Sequence, residues 1–384
     1  MTAPFVSKLP NVGTTIFTVM SKLAADCGAI NLSQGFPDFD APERLRSLVT
    51  EHMISGRNQY APMAGVMTLR EEVARKIERL YAHRSDPEHC ITITAGGTEA
   101  IFSAVHAVVR AGDEVIAFEP AYDSYEPAVT LAGGRMIRVP LRRPDFDIDW
   151  QRVADAVTPA TRLLIVNTPH NPSGAVWTSA DLGQCASLVE RHGLFVLSDE
   201  VYEHILFDGR RHESMLRHPA LAARSFVVSS FGKTFHATGW KVGYCVASPE
   251  LTREFRKVHQ FVQFSVVTPM QFALADFLRE CPAHYLELPA FYQVRRDRFA
   301  QLLAGTRLRF RPSAGTYFQL ADYSGLSDLP DVEYAQQLTR TIGVASIPVS
   351  VFSTENPRGE RLLRFCFAKD DRTLVAAAER MARL

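Results

Sequence analysis

The chain alternates short runs of β-branched and other apolar residues with longer stretches of helical periodicity. Six runs are predicted strands, at residues 91–94, 114–118, 163–166, 195–197, 226–229 and 244–247. Nearly continuous apolar character is typical of strands that are covered on both faces of a parallel sheet. Because helices fill the intervals, the pattern predicts an α/β domain with a mainly parallel central sheet.

Residue patterns at several helix ends allow sharper predictions. Thr68-Leu-Arg-Glu71 is predicted as a capping box that begins one helix. Gly193 is predicted as the left-handed cap that ends a helix over residues 179–192. Thr268-Pro269 is predicted as an N-cap and first helical residue, opening a long helix that leaves this domain.

The pattern changes after about residue 280, where helices dominate and short strands are predicted near residues 316–320 and 363–367. A chain of 384 residues is long enough for two domains. We therefore expect a large α/β domain over residues 41–279. Residues 1–40 and 280–384 would form a smaller α+β domain.

Composition excludes several classes of protein. The 42 basic residues balance the 42 acidic ones, so no global field attracts nucleic acid or an anionic membrane. The six cysteines are scattered without a C-x-x-C, which argues against a metal site or a disulfide scaffold and indicates a reducing compartment. The first residues lack the apolar core of a signal peptide, and no apolar run is long enough to cross a bilayer. A cytoplasmic location is expected.

Ligands of parallel α/β sheets bind beyond the carboxyl ends of the strands. The segments that follow the first five predicted strands should therefore face one crevice. In chain order they are Ala95-Gly-Gly-Thr98, Glu119-Pro-Ala-Tyr122, Asn167-Thr-Pro-His-Asn171-Pro172, Asp199-Glu-Val-Tyr202 and Ser230-Phe-Gly-Lys233-Thr.

Two glycine-containing segments are candidates for phosphate binding. Gly96-Gly97-Thr98 offers backbone N–H groups at a helix N-terminus, which suits a phosphate, although an ordinary turn with a threonine cap is the alternative. Gly232-Lys233-Thr234 is like the end of a P-loop, but Val227 occupies the position of the required first glycine. This mismatch excludes an ATPase of that type.

Lys233 and Asp199 are the residues with the strongest chemical interpretation. A lysine is most often a solvated surface residue, but Lys233 follows a buried strand and Lys241 lies eight residues further on. A second cation favours the neutral, nucleophilic amine, which can form a Schiff base. Asp199 is either a helix N-cap or the partner of a pyridinium nitrogen. Tyr202 and Asn171 could then bind a ring hydroxyl, and Tyr122 could stack on the ring.

Residues 229–243 strongly resemble the cofactor-lysine signature of class I aminotransferases of fold type I. Elements at residues 167–172, 199–202 and 364–367 occur in that family in the same order, and the likeness covers almost the whole chain. Residues 34–37 resemble in particular the branch of methionine aminotransferases and kynurenine (glutamine transaminase K-like) aminotransferases. The resemblance implies the fold type I architecture and pyridoxal 5′-phosphate (PLP) as cofactor.

The resemblance also implies a role for each site residue. Lys233 would carry the cofactor and move the Cα proton, Asp199 would pair with the pyridine nitrogen, and Tyr122 would stack. Tyr202 and Asn171 would bind the ring oxygen. The implied phosphate ligands are Gly97, Thr98, Ser230, Lys241 and, from the other subunit, Tyr60. The implied ligands of the substrate carboxylate are Arg364, Asn171 and the Gly35 backbone. In the wider family the stacking residue is often Trp or Phe, so Tyr122 is a departure.

The expected reaction moves the amino group of an amino acid to a 2-oxo acid in two half-reactions, in a homodimer with shared sites. Phe17, Phe36, Tyr60 and Phe264 are expected to line the pocket, which favours methionine or another hydrophobic or aromatic L-amino acid. The alternatives are a lyase that splits C–S bonds of cysteine conjugates and an inactive fold relative that serves as a binding module. Cis peptide bonds are expected at Glu119–Pro120 and Asn171–Pro172.

Overall fold

A computed structural model describes residues 6–354 and 359–384 of the chain. The helices in this part of the chain are α1 (Ile16–Asp26), α2 (Glu43–Ile54), α3 (Met67–Tyr81), α4 (Pro87–Cys90), α5 (Gly96–Val108), α6 (Tyr125–Leu131), α7 (Trp150–Asp155), α8 (Ser179–His192), α9 (Pro219–Ala222), α10 (Phe231–Thr234), α11 (Pro249–Val262), α12 (Thr268–Glu280), α13 (Ala283–Leu303), α14 (Asp331–Thr341) and α15 (Asp371–Met381). The strands are β1 (Ile30–Asn31), β2 (Ile91–Thr94), β3 (Glu114–Glu119), β4 (Arg135–Pro140), β5 (Thr161–Asn167), β6 (Phe195–Asp199), β7 (Ser225–Ser230), β8 (Gly243–Val246), β9 (Phe318–Asp322), β10 (Val344–Ala345), β11 (Ile347–Pro348) and β12 (Leu362–Cys366).

The main sheet has seven strands in the order β2-β8-β7-β6-β5-β3-β4. Strands β7, β6, β5, β3 and β4 pair in parallel, and β8 runs antiparallel to both of its neighbours. The predicted mainly parallel α/β sheet is therefore confirmed. Strand β4 was not predicted because Arg135 and Arg138 interrupt its apolar residues, as an edge strand allows.

Helices cover both faces of the main sheet, and a separate core lies beyond it. Side chains such as Ile101 and Val105 of α5 pack on one face, and Val73 and Ile77 of α3 pack on the other. The antiparallel sheet β11-β12-β9 forms another core with α1, α13, α14 and α15. The division at residues 40 and 279 stays a prediction.

Two predicted helix starts are wrong, and tertiary contacts explain why. Helix α3 begins at Met67 without a side-chain cap, because the Val66 amide donates instead to Gln271 Oε1 at 2.9 Å. Thr268 is already helical, and its hydroxyl donates to the Gln59 carbonyl at 2.6 Å. The helix that it begins packs against α2 and α3 rather than leaving the main core.

Other predicted boundaries are confirmed or shift slightly. Gly193 ends α8 with a φ of 65°, in the left-handed conformation that was predicted. The strand predicted at residues 316–320 is β9 at Phe318–Asp322, and the one predicted at 363–367 is β12 at Leu362–Cys366. Asp199 caps no helix, because turns follow it.

Candidate active site

A cavity of about 320 Å³ opens at the carboxyl ends of the central strands. Segments that follow β2, β3, β5, β6 and β7 all contribute to it, as their positions after the strands predicted. The predicted site residues that line it are Gly35, Gly97, Thr98, Tyr122, Asn171, Asp199, Tyr202, Ser230, Lys233, Lys241 and Arg364. Tyr60 does not line it, and 83% of this residue's surface is exposed.

Lys233 projects into this cavity from the short helix α10. Its ammonium donates to the Gly35 carbonyl at 3.2 Å and lies 5.7 Å from the ring centre of Tyr202. Desolvation lowers the pKa of Lys233 to about 8; Cys366 opposes the shift, and Lys241 adds to it. Roughly a tenth of the amine is therefore neutral at pH 7, about two to three hundred times more than for a free lysine. The predicted effect of Lys241 is present, but burial is the larger cause.

Asp199 ends β6 and is buried beside the cavity. The Tyr125 hydroxyl donates to its Oδ2 at 2.6 Å. Desolvation raises the pKa of the Asp199 carboxyl to about 6, and the hydrogen bond from Tyr125 opposes this rise. A cation in the cavity would stabilise the ionised carboxylate, as a protonated pyridine nitrogen would.

The Asn167 side chain links two neighbouring backbone segments of the site. Its Nδ2 donates to the Asp199 carbonyl at 2.9 Å, and its Oδ1 accepts from the Asn171 amide at 2.7 Å. One side chain therefore fixes the backbone behind both Asp199 and Asn171. Both predicted cis bonds, Glu119–Pro120 and Asn171–Pro172, are present in the loops that carry Tyr122 and Asn171.

Arg364 lies in β12 with 1% of its surface exposed. Its Nη1 donates to Asn171 Oδ1 at 2.7 Å, and its Nη2 donates to the Ser33 carbonyl at 2.9 Å. The Phe318 ring centre lies 3.9 Å from its Cζ. Among the described residues, no carboxylate pairs with this guanidinium and its Nε has no acceptor. A buried, unneutralised cation of this kind suits a carboxylate ligand.

Gly96 and Gly97 form a cradle at the N-terminus of α5. A Cβ at Gly96, which has a φ of +76°, would lie 3.3 Å from Lys241 Nζ. A Cβ at Gly97 would lie 3.1 Å from Val201 Cγ1. Lys241 itself has a φ of 54°, a left-handed conformation that is uncommon outside glycine. Free N–H groups and an adjacent ammonium suit a phosphate dianion.

A family model for class I and class II aminotransferases matches residues 28–381. The chain belongs to this family. The methionine aminotransferase of Escherichia coli is 55% identical over 98% of both chains. A crystal structure of Escherichia coli YbdL, described as having a methionine aminotransferase function, has a TM-score of 0.96 at 54% identity and covers 99% of this chain and 100% of that one. Rat kynurenine–oxoglutarate transaminase 3 is 34% identical over 97% of this chain and 88% of its own.

The chain is therefore an aminotransferase, and enzymes of this class depend on PLP. The site has the groups that PLP requires. Lys233 offers an amine for the carbonyl carbon, Asp199 offers a carboxylate for the pyridine nitrogen, and the Gly96-Gly97 cradle offers N–H groups for the phosphate.

Sequence reasoning assigned no role to Tyr125, Phe318 or Asn167, which all contribute to this aminotransferase site. Tyr125 was not predicted, although it lies three residues after Tyr122 in the segment that follows β3. Phe318 was missed because nothing in the sequence places β9 beside Arg364. Of the four aromatic residues expected to line the pocket, Phe17 does so, while Phe36, Tyr60 and Phe264 do not line the cavity of the single chain.

Proposed function

We propose that this aminotransferase takes methionine or another hydrophobic or aromatic L-amino acid as its donor and a 2-oxo acid as its acceptor, in a ping-pong reaction. One observation carries the proposal. The buried Arg364 lies against the rings of Phe318 and Phe17, and it is the only arginine among the described residues that line the cavity. One carboxylate is therefore bound beside apolar surface, and a second carboxylate would have no arginine partner. The similarity to a methionine aminotransferase supports methionine as the amino donor.

We assign the cofactor contacts as the family resemblance implies them. Lys233 would bind the carbonyl carbon of PLP, Asp199 would bind the pyridine nitrogen, and Tyr122 would stack on the ring. Desolvation raises the pKa of Tyr202 far above its usual value, so its phenol stays protonated and can donate to the ring oxygen beside Asn171. The phosphate ligands are Gly97, Thr98, Ser230 and Lys241.

Some residues of the site bind the substrate, and Lys233 transfers the proton. Arg364, with Asn171 and the Gly35 backbone, fixes the substrate carboxylate and so orients the Cα–H bond. Once the substrate amine has displaced it from the cofactor, the Lys233 amine, which burial keeps partly neutral, would remove the Cα proton and deliver it to the cofactor carbon on the other side of the amino nitrogen. When bound, PLP supplies the electron sink, and Asp199 strengthens that sink by keeping the pyridine nitrogen protonated.

A half-reaction tests this function directly. We expect the PLP-loaded protein, mixed with methionine and no acceptor, to release one equivalent of the matching 2-oxo acid per site. Added 2-oxo acid should then restore the starting absorbance. Aspartate should react at least about tenfold more slowly, because no second arginine among the described residues lines the cavity to bind its side-chain carboxylate. Release of pyruvate and ammonia from cysteine conjugates without an acceptor would favour a C–S lyase, and the absence of any PLP uptake would favour an inactive relative.

We propose that the enzyme is a homodimer in which Tyr60 reaches the phosphate of the partner's site. Tyr60 packs edge-on against Phe264, with ring centres 5.4 Å apart, and both are exposed in the single chain. Phe261 and Ile54 are also exposed, at 86% and 82%. Apolar side chains exposed in such numbers indicate an interface. A hydrogen bond holds the Tyr60 loop beside the segment that carries Phe264, since the Ser265 hydroxyl donates to the Ala61 carbonyl at 3.0 Å.

A mixed dimer of one Lys233→Ala chain and one Tyr60→Phe chain tests the shared sites. With sharing, one site carries both defects and the other carries neither, so the hybrid should keep about half of the wild-type turnover per dimer. If each site were built from one chain, only the weakened Tyr60→Phe site would turn over. Differently tagged chains, purified as the hybrid, allow this comparison with the Tyr60→Phe homodimer.

We also infer a cytoplasmic location. All six cysteines are free thiols, as is common in a reducing compartment. No helix in the described ranges has the length and apolar character needed to span a membrane.

A further inference from the structure

A second cavity, of about 510 Å³, adjoins the active-site cavity at Tyr122, which lines both. The N-terminal segment, including Val12 and Ile16, forms one wall. Phe352 forms another wall, and its ring centre lies 5.9 Å from that of Phe17 and 5.7 Å from Arg364 Cζ. The second cavity therefore lies next to the Arg364 site, on the side of Tyr122 and Phe352.

Two carboxylates line the second cavity, and they differ in their partners. Glu126 is paired with Arg138, whose Nη2 lies 2.6 Å from Glu126 Oε2. Asp123 is exposed beside Tyr122 and forms no salt bridge with any residue of the described ranges. Although the residue as a whole is exposed, partial desolvation raises the pKa of the Asp123 carboxyl, and the positive charge of Arg364 opposes that rise.

We propose that Asp123 excludes acidic side chains from the substrate pocket. When the α-carboxylate of the substrate neutralises Arg364 and the substrate side chain follows a path toward the second cavity, Asp123 lies beside that path with no salt-bridge partner among the described residues. A second carboxylate that enters this path meets a like charge and loses its hydration, whereas a thioether, amide or aromatic group does not. This inference rests on the proposed function and adds a specific cause for its substrate preference.

Glutamate and glutamine test the proposal, because they have nearly the same shape and differ in side-chain charge. The measurement is the ratio of their second-order rate constants in the amino-donor half-reaction, for the wild type and for Asp123→Asn. We expect the wild type to prefer glutamine and the substitution to shift the ratio toward glutamate by about tenfold, the effect of removing one like charge from a partly solvated site. Asp123→Ser, tested in parallel, should shift the ratio in the same direction.

The matched control is Glu126→Gln, which removes from the same cavity a carboxylate that is ion-paired with Arg138, an arginine that also pairs with Glu119. It should leave the glutamate-to-glutamine ratio within about twofold of the wild type. An unchanged ratio in both Asp123 variants, or an equal shift in Glu126→Gln, would overturn the proposal. The methionine half-reaction of the wild type tests the proposed function separately, so a failure of either claim can be told from a failure of the other.

Discussion

Replacing Lys233 with alanine should lower kcat for amino transfer by at least about four orders of magnitude, because one residue supplies both the amine that holds the cofactor and the base that moves the Cα proton. The variant should still retain PLP noncovalently, since the phosphate cradle at Gly96 and Gly97 does not involve the lysine. Steady-state rates and the PLP that remains after gel filtration measure the two effects.

The control for Lys233→Ala is Lys241→Ala. Lys241 lies beside the glycine cradle, so its loss should weaken PLP binding while leaving the cofactor attached through Lys233. Substantial turnover by Lys233→Ala, or a complete loss of PLP binding from it, would contradict the assigned roles.

Asp199→Ala should slow the proton-transfer step by about two to four orders of magnitude, because an unprotonated pyridine stabilises a carbanion poorly. Single-turnover deamination measures this step apart from product release. Tyr125→Phe removes only the hydrogen bond to Asp199 Oδ2, so we expect a much smaller loss of about tenfold or less. Near-normal deamination by Asp199→Ala would refute the role.

We expect substitution of Asp199 to leave the fold intact, because the raised pKa of its carboxyl means that the ionised form destabilises the PLP-free native state. Burial raises the pKa of this carboxyl to about 6, so the native state binds the proton more tightly than the unfolded state does. In the PLP-free protein, the stability that comes from this preference is present below about pH 4 and is lost as pH rises through 6. Asp199→Asn should therefore have a Tm at pH 8 equal to or above that of the PLP-free wild type.

The sequence was sufficient to predict the crevice because parallel topology brings strand ends together regardless of the details of packing. Each polar segment after a strand could be assigned to the same edge before any distance was known. Arg364 could be assigned only through the family resemblance, since its strand belongs to a different sheet. The Arg364 cation is buried and has no carboxylate partner among the residues that the structure describes, which supports the assignment physically.

Tertiary contacts account for most of what could not be predicted. The local signal at Thr68 is a good capping box, yet Gln271, about 200 residues away, caps the Val66 amide instead. The hydrogen bond from Tyr125 to Asp199 likewise joins residues of two different segments. Such pairs leave no periodic pattern in the sequence, because neither residue's neighbours depend on the contact.

The covalent attachment of PLP to Lys233 is the most direct test of this account. Borohydride reduction of the PLP-loaded wild type fixes the cofactor to the amine that holds it, and peptide mapping then identifies that residue. We expect about one label per chain, on the peptide that contains Lys233, and none in Lys233→Ala. A label on Lys241, or a protein that takes up PLP without any labelled lysine, would contradict the central claim.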